Sequence, residues 1–323
     1  MKKMVMVCLL AFGLAFAQQE TPPQVEGFPK FAAPPPMFTV QGETEDGYRV
    51  DHKLGETLIP KNPQHIVALE LLTAEALISL GVQPVGVTSP WLPEVVAEAA
   101  PEMAFLRTAQ DLNLEAILAL EPDLIVGYRL VGEDPDLYEQ VSRVAPTVVP
   151  HDEVDAYWQQ YTYDVASLLG IPERAEEVLQ DYDEQAATYR ERAQAIVGEE
   201  SINIALVFPR SLWLYAPGYM LNDQYVPFIN SSFPYIELGL KASPEMVEIL
   251  GTEPYAEVSF EVLPELTAEH LIVLYDGTAT PDERTELETT LQTFTDHPLW
   301  QRVRAVQEGN VYLVPRDRPT GYY

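Results

Sequence analysis

Apolar residues recur at three- and four-residue steps across residues 171–198 (IPERAEEVLQDYDEQAATYRERAQAIVG) and predict one long amphipathic helix. Ala175, Val178, Leu179, Tyr182, Ala186, Tyr189, Ala193 and Ile196 fall on a single stripe. Pro172 suits the first turn, where its missing N–H is not needed, and Gly198 suits the stop. At about 1.5 Å per residue the helix runs roughly 39 Å, enough to lie across two neighbouring lobes. On either side the pattern changes to short continuous apolar runs. Before the helix these are residues 66–69, 82–87, 124–127 and 144–149, interleaved with helical stretches at 73–80, 114–120 and 156–169. After it, 202–208, 271–275 and 311–314 read as strands and 212–215 as a hairpin partner, with 246–250, 266–269 and 282–295 helical. Strands apolar on both faces, alternating with helices, predict mainly parallel sheets covered on both sides. The expected fold class is α/β: two Rossmann-like lobes (38–165 and 199–323) bridged by one long helix within 166–198.

Two stretches depart from this pattern. Residues 18–37 carry Pro22, Pro23, Pro29 and Pro34 to Pro36 among small residues, the composition of an extended tether rather than a packed element. Residues 38–59 alternate apolar and polar positions around Asp46-Gly47 and Leu54-Gly55, as an edge hairpin would. There is also an internal echo. Leu114-Glu115 followed by the run ending in Tyr128 is matched, at nearly equal spacing, by Phe260-Glu261 followed by the run ending in Tyr275.

Residues 1–17 hold Lys2 and Lys3, an apolar run and Ala15-Phe16-Ala17, the layout of a cleaved export signal. The run is shorter than the about 20 residues of a bilayer span. Cys8 is not preceded by the small residue a lipoprotein site requires, and cleavage after Ala17 leaves no cysteine, which excludes disulfides, thiol catalysis and thiolate metal sites. The formal charge is −31 and becomes two units more negative without Lys2 and Lys3, so the surface repels nucleic acid and anionic lipid. Any arginine in a pocket is therefore conspicuous.

In open parallel sheets ligands sit beyond the carboxyl ends of the strands. The residues there are Trp91, Tyr128, Arg129, Arg210, Trp213, Tyr215 and Tyr275, together with Arg107 in the loop before the Glu115 helix. Arginines beside flat rings suit a bulky ligand with anionic oxygens, held by forked hydrogen bonds and stacking. No nucleophile elbow, zinc-protease motif, phosphate loop or dinucleotide fingerprint appears, and the five histidines are scattered without ligand spacing. His151-Asp152-Glu153 has the residue types of a metal site but reads rather as a solvated loop before a helix. Enzyme readings therefore fare badly, and no cofactor and no resident metal are expected.

The segments LGETLIPKNPQHIVAL, LISLGVQPVGV, LRTAQDLNLEAILALEPDLIVGY, RVAPTVV and LWQRVRAVQEGNVYLV, in that order, resemble the iron-siderophore and cobalamin family of periplasmic substrate-binding proteins that feed ABC importers. The resemblance implies a two-lobed periplasmic protein, bridged by a rigid helix, that closes slightly on a ferric siderophore or ferric carboxylate complex. It implies that one glutamate per lobe, Glu115 of N-L-E and Glu261 of S-x-E, docks onto the permease dimer, and that Arg107-Thr108, Tyr128 and Tyr215 fall at ligand positions. Cobalamin or haem is the alternative cargo; a secreted hydrolase using an unrecognised carboxylate pair is the alternative class. Family members end in a tryptophan and a terminal helix, whereas this chain stops at Gly321-Tyr322-Tyr323.

Overall fold

A computed structural model describes residues 21–89, 92–107, 112–127, 129–151, 157–207, 212–228, 231, 233–275, 289 and 291–315. The expected edge hairpin is a three-stranded antiparallel meander of β1 (Thr39–Glu43), β2 (Tyr48–His52) and β3 (Gly55–Ile59). Both predicted turns occur. Gly47 is required at the first, because a Cβ there would meet the Ile59 carbonyl oxygen at 1.9 Å.

The first sheet is wholly parallel. Its strands β4 (Ile66–Ala68), β5 (Gly86–Ser89), β6 (Ala104–Arg107), β7 (Leu124–Val126) and β8 (Thr147–Val148) lie in the order β6-β5-β4-β7-β8. Helices α1 (Leu71–Ser79), α2 (Glu94–Ala99), α3 (Leu114–Leu118), α4 (Arg129–Gly132), α5 (Pro135–Ser142) and α6 (Trp158–Leu168) accompany it. The strand expected at 82–87 begins later. Val82 N–H turns back to Leu77 O and closes α1, and Pro84 has no N–H to give to a ladder. Arg107, expected in a loop, is the last residue of β6.

The predicted long helix is α7 (Pro172–Val197), 26 residues stopped at Gly198 with φ of 62°. Ala175 and Leu179 near its start belong to the first core, and Val197 at its end belongs to the second. Between them its apolar stripe is poorly covered. Tyr189 is 52% and Ile196 69% exposed, and Ala186 is the buried position at the centre, as expected where a helix passes from one packed body to the next.

The second sheet has β9 (Ser201–Val207) at its centre. Further strands are β10 (Leu212–Tyr215), a separate hairpin of β11 (Gly218–Leu221) and β12 (Gln224–Pro227), then β13 (Lys241–Ala242), β14 (Tyr255–Val258), β15 (His270–Tyr275) and β16 (Val311–Pro315). The order is β14-β10-β9-β15-β16, with β13 beside the start of β9; β9, β15 and β16 are parallel, and β10 is the antiparallel partner predicted. The helical turn expected at 266–269 lies earlier, as a 3₁₀ helix over Phe260–Glu265. Leu266 is extended there (φ −73°, ψ 107°), and Pro264 prevents an α-helix from propagating.

The proline-rich segment is corrected outright: it is extended, but it is packed rather than free. Val25, Phe28 and Phe31 belong to the second core, and Met37 and Phe38 to the first. From Phe28 onward burial recurs at every third residue, Phe28, Phe31, Pro34 and Met37, the repeat of a polyproline helix with three residues per turn. Val226 of β12 also reaches the first core, with Tyr219 and Leu221 packed beside it.

Candidate ligand cleft

In the first sheet the chain leaves β4 toward β5 and β6 on one side, then crosses to β7 and β8 on the other. The connections part between β4 and β7, and a doubly wound sheet opens its ligand crevice at that point. The strand ends are level there: Ala68 pairs with Val126 and with Val87, and Ser89 pairs with Arg107. Leu69 N–H donates to Val126 O at 2.9 Å, carrying the pairing one residue past β4.

Glu70 follows directly and was not singled out by the sequence reading. Its carboxylate accepts from Leu72 N (3.0 Å), Thr73 N (2.6 Å) and Thr73 Oγ1 (2.7 Å), capping α1. The Thr73 hydroxyl in turn lies 2.5 Å from Tyr161 Oη. A negative group on the exposed amides of a helix start is electrostatically favourable. Glutamate is an uncommon cap; the available signal was an acidic residue wedged between a buried strand and the helical pattern of α1.

The second sheet presents the ends of β9, β15 and β16 at Val207, Tyr275 and Pro315. Because β10 runs back along β9, pairing Leu212 with Val207 and Leu214 with Ala205, Trp213 stands near the rim and Tyr215 lies deeper. Trp213 is half-buried, with its ring flat on that of Tyr255 at 4.6 Å and 1°, and Tyr255 keeps 43% of its surface exposed. Tyr215 is 3% exposed and belongs to the second core, edge-on to Phe228 at 5.5 Å and to Tyr255 at 6.4 Å. In this conformation it supports the aromatic wall from behind. Tyr255 and Phe228, which complete that wall, were not anticipated, since neither β14 nor β12, which Phe228 follows, was predicted.

Of the other expected ligand residues, Trp91, Thr108, Tyr128 and Arg210 lie outside the described residues. Arg107 is placed by its backbone at the end of β6, and Arg129 as the first residue of α4, immediately past β7. By backbone position Arg107 and Arg129 stand at strand ends of the first sheet and Trp213 near a strand end of the second, while Tyr215 lies in the core behind. Among the described residues no cluster of three or more His, Asp or Glu could hold a metal ion. His151 pairs with Asp51 at 3.2 Å, while Asp152 and Glu153 lie outside the described residues.

Glu115 and Glu261 occupy matching places. Each is exposed, and each is the second residue of a short helix that precedes the parallel strand next to its sheet's centre: α3 before β7, and the 3₁₀ helix before β15. Asn113 caps the first by accepting from Ala116 N at 3.0 Å, and extended Ser259 precedes the second. The internal echo in the sequence is therefore a structural one.

A separate cavity of about 420 Å³ lies between the N-terminal segment, the start of α6 and the middle of α7, and it includes Tyr157, Asp183, Arg190 and Glu237. None of its residues directly follows a parallel strand end, which sets it apart from the crevice. Burial, then repulsion from Asp183, pushes the Glu237 carboxyl up to about 7, with Arg190 pulling the other way.

A family model described as periplasmic binding protein matches residues 66–317. The probable siderophore-binding lipoprotein YfiY of Bacillus subtilis is 26% identical over 277 residues, covering 82% of this chain and 79% of that protein. The Fe(3+)-citrate-binding protein YfmC of Bacillus subtilis is 23% identical over 300 residues, covering 87% of this chain and 82% of the relative. Among solved structures, Staphylococcus aureus SirA complexed with staphyloferrin B superposes with a TM-score of 0.63 at 24% identity, covering 82% of this chain and 88% of that one. The FhuD protein from S. pseudintermedius gives 0.62 at 21%, with 83% and 89% covered. These structural likenesses establish the fold. No described helix is long and apolar enough to cross a membrane.

Proposed function

The chain belongs to the periplasmic binding protein family, and on that premise we propose that it captures a ferric siderophore or ferric carboxylate complex between its lobes and delivers it to the permease of an ABC importer. The observation that carries the reading is that relatives matched over most of both chains are a siderophore binder and a ferric citrate binder by name. The aromatic and cationic character of the residues around the strand ends supports it independently. Such complexes are bulky and rich in anionic oxygens, and a protein of charge −31 needs local cations to hold one.

In this reading Arg107, Arg129 and Arg210 neutralise ligand oxygens and Thr108 donates a hydrogen bond. Trp91, Tyr128 and Trp213 wall the cleft, and Tyr215 backs Trp213 through Tyr255. The iron arrives as part of the cargo, and the protein is a carrier rather than an enzyme. Glu115 and Glu261 dock onto the two halves of a permease dimer. Residues 1–17 direct export to the periplasm and are removed, leaving no membrane insertion and no nucleic-acid partner.

The test is titration of the purified protein with ferric citrate and a panel of hydroxamate and carboxylate siderophores. Loss of one charge-assisted contact costs about 1.5–3 kcal/mol, so Arg107→Ala and Arg210→Ala are each expected to weaken binding roughly 10- to 100-fold. Unchanged affinity in both variants for every chelate that binds would remove the arginines from the site. A corrinoid or porphyrin spectrum in protein recovered from its own organism would change the cargo to cobalamin or haem.

A further inference from the structure

We propose that residues 25–38 form a strap, a second crossing of the backbone between the lobes, covalent with the first and packed non-covalently on the second, that works with α7 to limit how far the cleft opens. At one end the strap is fixed to the second lobe. Phe31 stacks on Tyr225 at 5.2 Å, Phe28 stacks on the same ring at 6.5 Å, and Ala32 N–H donates to Tyr225 O at 2.8 Å. Its turn is fitted closely: Gly27 has φ of +86°, and a Cβ there would meet Val247 Cγ2 at 2.7 Å. On the facing strand, a Cβ on Gly218 would meet Phe31 Cε1 at 2.6 Å.

At the other end the strap is fixed to the first lobe. Met37 N–H donates to the buried Asp164 Oδ2 at 2.6 Å, His151 N–H donates to Met37 O at 2.9 Å, and the Phe38 ring packs on Tyr161 at 6.0 Å. Between the two ends Tyr157 Oη donates to Ala32 O at 3.1 Å, so a first-lobe side chain grips the strap where it leaves the second lobe.

What turns two anchorages into a restraint is the chain between them. Six steps separate Phe31 from Met37, which caps their separation at about 20 Å. Pro34, Pro35 and Pro36 fill this stretch, and proline holds φ near −65° in an already extended backbone of about 3.1 Å per residue. Little slack remains to be drawn out. A flexible linker of the same length would tolerate opening by straightening, whereas this one can only pull against its anchors. The strap therefore resists opening wherever the motion parts the two anchors, and α7 supplies the other fixed edge.

The restraint rests on the two-lobed architecture alone; its effect on ligand release rests also on the capture reading. After residues 1–17 are removed no cysteine remains, so Gln140→Cys on α5 and Glu248→Cys on the helix Pro244–Leu250, both exposed, can carry a spin-label pair with one label on each lobe. Two strap variants are compared with the parent chain by pulsed electron–electron distance measurement and by the rate of ferric chelate release. One inserts Gly-Ser-Gly-Ser-Gly-Ser after Ala33, and the other is Pro35→Gly with Pro36→Gly; both leave the anchors in place. The insertion is expected to broaden the inter-lobe distance distribution by several ångströms and speed release at least threefold, and the glycine pair should move both in the same direction by less. If the insertion unfolds the second lobe, as far-UV circular dichroism would reveal, the glycine pair alone decides. An unchanged distance distribution in folded variants overturns the strap. A broadened distribution in a protein that binds no ferric chelate would keep the strap and discard the cargo.

Discussion

Asp164 carries a carboxylate to a place where charge is costly. It is 3% exposed, and it accepts from Met37 N–H and from Gln160 Nε2 at 2.8 Å. Burial outweighs these hydrogen bonds and pushes its pKa up from 3.8 to about 6. A carboxyl raised on folding favours the native state while it is protonated. Its contribution is complete below the unfolded pKa and is lost as pH rises through about 6. Asp164→Asn imitates the protonated form and cannot ionise. The stability gap between parent and variant is therefore expected to shift by about 2–3 kcal/mol in the variant's favour between pH 4 and pH 7, as urea melts at both pH values would measure. A gap independent of pH would mean that the carboxylate stays ionised in the fold. This residue was invisible in the sequence: an aspartate inside the helical pattern 156–169 reads as surface, and its anchoring role exists only because Met37, 127 positions away, folds onto it.

At the level of elements, what was legible is what is local. Helix α7 declares itself through its own periodicity and its two end residues, and the buried parallel strands through uninterrupted apolar runs. The strap was misread because an extended proline-rich segment shows neither of those periods. Its signal was a period of three, with Phe28, Phe31, Pro34 and Met37 buried in turn. Burying Phe28 and Phe31 is worth about 1.5–3 kcal/mol each, far more than an unpacked tether would gain. For the candidate cleft, the strand ends were legible from the apolar runs, but β14 and the hairpin of β11 and β12, which bring Tyr255 and Tyr219 to the aromatic wall, are too short and too mixed in polarity to stand out. The first short helix was legible from its own pattern, the second only through the repeated motif, and their equivalence leads to a test. Glu115→Arg and Glu261→Arg lie on exposed first turns, so reversing both is expected to abolish ferric chelate uptake by cells and leave affinity in solution unchanged. Each single reversal should reduce uptake partially. Loss of affinity in the double variant would assign these glutamates to the fold of the cleft.

For the molecule as a whole, charge sets the approach of the ligand separately from its retention. A chain of formal charge −31 presents a repulsive field to an anionic chelate at long range, whereas the arginines proposed to hold it would attract it only within a few ångströms. The Debye length contracts from about 30 Å at 0.01 M salt to about 8 Å at 0.15 M, so added salt erases the distant repulsion first. The association rate of an anionic chelate is therefore expected to rise several-fold over this range, the reverse of the usual steering effect. The dissociation rate should rise as well, because the local ion pairs are screened too. The two changes offset each other in Kd, so an equilibrium titration would conceal both. Stopped-flow quenching of tryptophan fluorescence by the ferric complex separates them, with Trp213 already placed near the rim. A chelate of zero net charge should show a flat association rate. An association rate that falls with salt would mean that the positive field of the cleft reaches beyond the acidic surface, and the arginines would then be recruiting the ligand as well as holding it.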